Sequence, residues 1–300
     1  MSASPPAGFL LVDKPQGWTS HDVVAKVRNQ VGEKVGHAGT LDPMATGLLI
    51  LGVGVATRLL RFVQGARKEY LATALFGVAT DSLDADGAIL SREPLPVTSE
   101  EVRVAMERFN GDILQVPPMV SARKVEGKRL YELAREGKVI AREARPVTIY
   151  LLELIDLAPS DYPAVTFRTV CSTGTYIRTL ADDLGRAVGG RAHLTALRRV
   201  RNGAIDVKDA MSVDEIIDAA GEGDLERLLL DPSTVLGEYP ELRVDDSVAF
   251  RVRNGRELPL QMAPHDAPYE ALLRIGDGEG NLLAMYRRDR KALIPEVVLH

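Results

Sequence analysis

Apolar positions along the chain change period several times. Phe9-Leu-Leu-Val12 is a short unbroken apolar run, which predicts a strand buried on both faces over 8–13. Val23, Val24, Val27 and Val31 then follow helical spacing, with Thr19 or Ser20 able to cap the helix. Strands are predicted over 48–53 and 69–77. Thr98-Ser-Glu-Glu101 has the spacing of a capping box ahead of a helical stripe of Val102, Met106 and Phe109. Strands follow over 146–157 and 164–171, where Val165, Phe167, Thr169 and Cys171 alternate with their neighbours. Ile177, Leu180, Ala181, Leu184 and Val188 mark the buried stripe of a helix beginning near Thr175. Past Pro240, a short helix over 245–252 ended by Gly255 precedes two strands, 272–275 and 282–286, on either side of the turn-rich Gly276–Gly280.

This order does not repeat as strand, helix, strand, helix, so a doubly wound parallel sheet is not expected. An α+β core on a mixed, mainly antiparallel sheet with flanking helices fits the pattern over 1–239, followed by a small β-rich C-terminal domain over 240–300. The length of 300 residues agrees with one large core and an appendage. No apolar run reaches the roughly 18 residues of a membrane span, and the N-terminus lacks a basic flank with an apolar signal core. A cytoplasmic protein without membrane partners is expected. A single cysteine, Cys171, cannot close an internal disulfide, and five scattered histidines lack metal-ligand spacing, so no metal is expected.

The net charge of −5 argues against a chain uniformly coated with nucleic acid. It hides a basic stretch between Ser121 and Arg145, with eight lysines and arginines against four glutamates, and a second group of Arg198, Arg199 and Arg201 near His193. Either group alone reads equally well as a solvated face. Gly52-Val-Gly54-Val-Ala-Thr57 is half of a dinucleotide-binding fingerprint, with Thr57 where its third glycine belongs. Gly36-His-Ala-Gly-Thr-Leu-Asp-Pro-Met-Ala-Thr-Gly47 has no Gly-Lys-Ser/Thr ending and is no Walker A loop. Its one acid, Asp42, suits an Asx-type turn on composition alone.

The company of Asp42 alters that balance. Together with Leu11-Val-Asp-Lys-Pro-Gln-Gly-Trp18, Lys68-Glu-Tyr70, Val116–Tyr131, Ser172-Thr-Gly-Thr-Tyr-Ile-Arg-Thr179 and Ala192-His-Leu-Thr-Ala-Leu-Arg-Arg199, the loop closely resembles the bacterial tRNA pseudouridine-55 synthases of the TruB type. The matching stretches run in the family's order over most of residues 9–210.

The resemblance implies an isomerase that flips uridine 55 out of the T loop of tRNA, cleaves its N-glycosidic bond and rejoins the base to C1′ through C5, with no cofactor. Asp42 would carry the chemistry as nucleophile or as base toward the sugar. Tyr70 would stack on the flipped uracil, and Leu197 would press on its other side. Arg178, about 100° around the helix from the buried Ile177, need not be buried in the core and is free to pair with Asp42 or with a phosphate. Tyr176, His37 and Lys14 are placed with the substrate-binding residues. The basic stretch becomes a T-arm clamp over 121–145, with Arg123, Lys124, Lys128 and Arg129 on phosphates. The C-terminal domain resembles a PUA-type module that touches the acceptor end. A monomer is expected. A non-catalytic RNA chaperone and a nucleotide-cofactor enzyme are the competing readings, and tritium release from C5-labelled tRNA uridine separates them.

Overall fold

The computed structural model describes residues 7–118, 124–125, 128–129 and 142–299. Its centre is a nine-stranded sheet. Seven strands run side by side in the order Gly8–Lys14, Thr46–Val53, Ala192–Asn202, Lys68–Phe76, Ala164–Cys171, Arg145–Ala158, Gly111–Gln115. Val35–His37 adds to Thr46–Val53, and Ile205–Asp206 adds to Ala192–Asn202. Every pairing is antiparallel except that of Thr46–Val53 with Ala192–Asn202, so the mixed, mainly antiparallel sheet of the sequence reading is present.

The unbroken apolar runs have a simple cause. Successive side chains of a strand point to opposite faces. Leu10, Val12, Leu49 and Leu51 enter one core, while Phe9, Leu11, Leu48 and Ile50 enter another. The first core is covered by the helices Ser20–Val31, Ser99–Glu107, Ile177–Ala187 and Val213–Gly221, whose buried residues include Val23, Met106, Leu180 and Ile216. Thr19 caps the first of these in a reciprocal box with Asp22, and Thr98 caps the second with Glu101.

The second core is closed by Leu59, Phe62 and Val63, and by Leu282, Met285 and Val297 of a five-stranded sheet built from residues 241–298. That sheet carries the helix Asp246–Arg253, capped by Asp245. Arg58 donates from Nη1 to the Val298 carbonyl at 2.7 Å, and Arg61 pairs with Glu296 at 3.0 Å. The C-terminal strands thus share a core with the strand that leads out of the Asp42 loop.

One glycine sets how closely the Asp42 loop approaches the sheet. Gly47 has φ +99° and lies directly opposite Arg199 in the parallel pairing of Thr46–Val53 with Ala192–Asn202. A Cβ there would sit 2.3 Å from the Arg199 carbonyl oxygen. Gly47→Ala combines a left-handed backbone with a clash against main chain, so we expect a loss of roughly 3 kcal/mol of stability. Urea denaturation measures it, and a loss below about 0.5 kcal/mol, the ordinary surface value, would contradict this account of the strand approach.

Candidate active site

The loop bearing Asp42 is pinned on both flanks. On one side Ser20, the first residue of its helix, bonds Leu41 both ways: its Oγ donates to the Leu41 carbonyl at 3.2 Å and accepts from the Leu41 N–H at 2.9 Å. On the other, the Gly17 N–H donates to the Pro43 carbonyl at 2.8 Å. Beneath them lies Lys14, fully buried, its ammonium 2.9 Å from the Pro15 carbonyl, 2.6 Å from that of Trp18 and 3.4 Å from that of Pro43. Lys14 was expected among the substrate-binding residues. Its place here is under the loop, tying the entry segment 14–18 to Pro43, with no exposed surface to offer a phosphate.

Asp42 itself is one-third exposed and faces Arg178. The guanidinium meets it side-on, Nη2 to Oδ1 at 3.1 Å and Nε to Oδ2 at 3.0 Å, a two-point pairing that fixes the orientation of the carboxylate as well as its charge. Arg178 also donates from Nη1 to Asp84 at 2.9 Å and to the Ser82 carbonyl at 3.1 Å. Burial pushes the Asp42 carboxyl above the ordinary carboxylate range; Arg178 opposes that, and the like charge of Asp84 adds to it.

The sequence left the burial of Arg178 open, and the structure decides it. Arg178 is 3% exposed, although it lies off the apolar stripe of its helix. It is buried because two carboxylates and a carbonyl receive it, and Asp84 carries no signature that singles it out among the acids of Thr80-Asp-Ser-Leu-Asp-Ala-Asp-Gly87. Leu83, just before it, takes the left-handed region at φ 64°, an uncommon conformation for leucine that turns the chain so that Asp84 enters the interior.

Tyr70 and Arg199 stand directly opposite each other on antiparallel strands, with Leu197 opposite Ala72 on the same face. Tyr70, Leu197, Arg199 and Lys68 join Asp42, Arg178 and the turn Ser172–Thr175 around one cavity of about 280 Å³, close to the ~300 Å³ lower end of ligand pockets. Tyr176 caps the helix Ile177–Ala187 at its edge, its main chain held by Gln115 through bonds of 2.7 and 3.0 Å. Burial holds the Tyr70 hydroxyl above the ordinary phenol value.

Other residues fall elsewhere. His37 sits on Val35–His37, edge-on to His21 with ring centroids 5.4 Å apart, and is not among the residues lining the cavity. Burial lowers its tendency to take a proton. The second basic group does not form a free patch: Arg198 pairs with Asp13 at 2.6 Å, Arg201 pairs with Asp206 at 2.9 Å, and Arg199 is 1% exposed. Of the expected clamp, Arg123 lies outside the described residues, and Lys124, Lys128 and Arg129 belong to a two-rung antiparallel hairpin, Lys124–Val125 with Lys128–Arg129.

Two lysines lend the site a pH dependence. Burial pushes both Lys14 and Lys68 down to about 8. An unfolded lysine keeps its proton to about 10.4, so between these values the unfolded chain binds more protons and stability rises with pH. Removing the group removes its share: we expect the stability of wild type relative to Lys68→Met to grow from pH 8 to 10.5. Urea titrations at pH 7, 9 and 10 measure it, and a constant difference would contradict the buried, shifted lysine.

Among described residues no cluster of His, Cys, Asp and Glu could hold a metal ion. No helix among the described residues is long and apolar enough to cross a membrane.

The chain is similar to known proteins over nearly its whole length. Residues 26–177 match the TruB family pseudouridylate synthase N-terminal domain, and residues 178–236 match the tRNA pseudouridylate synthase B C-terminal domain. A tRNA pseudouridine synthase B of Ralstonia pickettii is 40% identical, covering 98% of this chain and 94% of that protein. One from Burkholderia mallei is 41% identical over 96% of this chain and 95% of its own length. Among solved structures, a chain of a Cbf5–Nop10–Gar1 complex superposes with a TM-score of 0.78 at 25% identity, covering 97% of this chain and 84% of its own.

Proposed function

The chain belongs to the TruB family of pseudouridylate synthases, and from that premise we propose that its substrate is uridine 55 of tRNA, isomerised in the cavity between Asp42 and Tyr70. The observation that carries the reading is a single carboxylate, gripped at two points by Arg178, opening into a space for one nucleoside beside an aromatic ring. A base inside a folded T loop cannot be reached there, so the uridine must leave its stack. Tyr70 replaces part of the lost stacking, worth roughly 1–3 kcal/mol per base, and Leu197 confines the ring.

Asp42 acts on the sugar. As the C1′–N1 bond breaks, the carbon left electron-poor is met by the carboxylate, either through a bond to C1′ or through removal of the C2′ proton. The base turns in place and C5 closes the new bond. No external group is donated or accepted. Arg178 keeps the carboxylate aimed, Asp84 keeps Arg178 aimed, and Lys14 holds the loop that carries Asp42. Tyr176 flanks the entry, and His37 occupies ground near the displaced T-loop nucleotides. We assign Arg123, Lys124, Lys128 and Arg129 to phosphates of the T arm. The division into a catalytic domain over 1–239 and a PUA-like module over 240–300 that meets the acceptor end is part of the same proposal.

The test is direct. Wild-type protein should release tritium from a tRNA transcript labelled at uridine C5, one equivalent per transcript at completion, and none when uridine 55 is replaced by cytidine. Equal release from the cytidine-55 transcript would move the substrate elsewhere in the RNA.

A further inference from the structure

The charges around the cavity are arranged in two unlike groups. In the first group, Arg178 faces two carboxylates, Asp42 and Asp84. At the floor, Lys68 and Arg199 are 5% and 1% exposed, and both are held by carbonyls rather than carboxylates. The Lys68 ammonium donates to the Gln64 carbonyl and, at 2.7 Å, to that of Ala66. Arg199 donates from Nε to the Leu48 carbonyl at 2.6 Å and from Nη2 to the Gly39 carbonyl at 3.1 Å. Among the described residues neither forms a carboxylate ion pair. Lys14, outside the cavity lining, is tethered to carbonyls in the same way.

Tethering a loop or closing the helix Leu60–Gly65 needs a donor, which a neutral amide supplies without the cost of burying an unpaired ion. Two such ions facing one cavity therefore call for an anion that arises inside it. We propose that Lys68 and Arg199 form an electropositive floor that stabilises the uracil as an anion while it is detached from the ribose. The inference rests on the reading of this cavity as the site of uridine isomerisation.

The chemistry balances on that footing. When the C1′–N1 bond breaks, its electron pair stays with N1 and spreads over O2, O4 and C5 of the base. C5 then returns a pair to C1′, the C5 proton leaves to water, and N1 takes up a proton. Negative charge exists only between the two bond events, where a fixed cation lowers the barrier without binding the neutral substrate more tightly. Asp42 serves the sugar half of the separated pair and the floor serves the base half. The Tyr70 ring, opposite Arg199, lies alongside the floor.

The experiment uses single-turnover isomerisation by the full chain on two T-arm stem-loops, one with uridine and one with the more acidic 5-fluorouridine at position 55, read as loss of the N1-linked nucleoside by chromatography. For Lys68→Met and Arg199→Met we expect a loss on uridine of about 10²-fold, the scale of one removed charge-stabilising donor. On 5-fluorouridine the loss should be at least tenfold smaller, because that base needs less help to leave. RNA affinity should be unchanged, and Arg199→Lys should recover part of the rate. Melting curves verify folding, and if Arg199→Met does not fold, Lys68→Gln takes its place beside Lys68→Met. Equal losses on the two substrates, or none, overturn the proposal and leave the isomerase reading intact. Failure of the wild type on uridine sinks the isomerase reading itself.

Discussion

Asp42→Asn should fold normally, bind tRNA and lose turnover by at least about 10⁴-fold, the scale at which an essential nucleophile or base fails. Activity and stability part company here for a structural reason. Arg178 keeps Asp84 at 2.9 Å and the Ser82 carbonyl at 3.1 Å when the Asp42 charge is gone, so no buried guanidinium is orphaned. The substitution also relieves a carboxylate that burial already disfavours. Stability should therefore hold or rise slightly while catalysis stops. Single-turnover tritium release, beside urea denaturation, reads both. Turnover within tenfold of wild type would remove Asp42 from the chemistry, and a large loss of stability would mean that its pairing with Arg178 is a structural tie.

Arg178→Met should reverse that pattern. Asp84, with a side chain only 6% exposed, is left as an unpaired buried carboxylate next to Asp42, and breaking such a pair costs about 3–5 kcal/mol. Adding Asp84→Asn removes the stranded charge and should return most of that stability, so the two changes are strongly non-additive. Turnover should not return with it, since Asp42 remains unheld. Denaturation of both single variants and the double variant measures the coupling. Additive losses would show that Arg178 and Asp84 stabilise the fold independently, against the relay in which one aims the other.

How much of this could be read in advance depended on whether a residue's surroundings lie near it in sequence. The capped helices at Thr19 and Thr98 were legible because cap, box partner and apolar stripe fall within a few residues. So was the alternation of 164–171. The central strand Ala192–Asn202 was read only as a motif, because Arg198, Arg199 and Arg201 obscure its alternation. Those arginines are tolerable in mid-sheet only because Asp13, the Leu48 and Gly39 carbonyls, and Asp206 receive them from distant parts of the chain. The burial of Arg178 was not legible for the same reason: its helix face shows a charge, and the acids that draw it inward stand 136 and 94 residues away. Asp42, Tyr70, Leu197 and Arg178 do meet at one cavity, whereas Lys14 was given to the RNA and serves the loop instead.

The shared core beneath the Asp42 loop bears on the order in which the protein is made. Leu48 and Ile50, on the strand that leaves the loop, are completed on one face by Leu282, Met285 and Val297, more than 230 residues later. At about 5–20 residues per second, a ribosome needs some ten seconds or more to span that interval. Until then a nascent chain holds every motif of the reaction centre yet presents a bare apolar underside, a surface suited to holding by a chaperone. The last strands act as a closing plate, so the catalytic loop gains its final support only near the end of synthesis. Deleting them should leave a chain that is poorly folded, and its loss of activity could not be taken as lost contact with the acceptor end of tRNA.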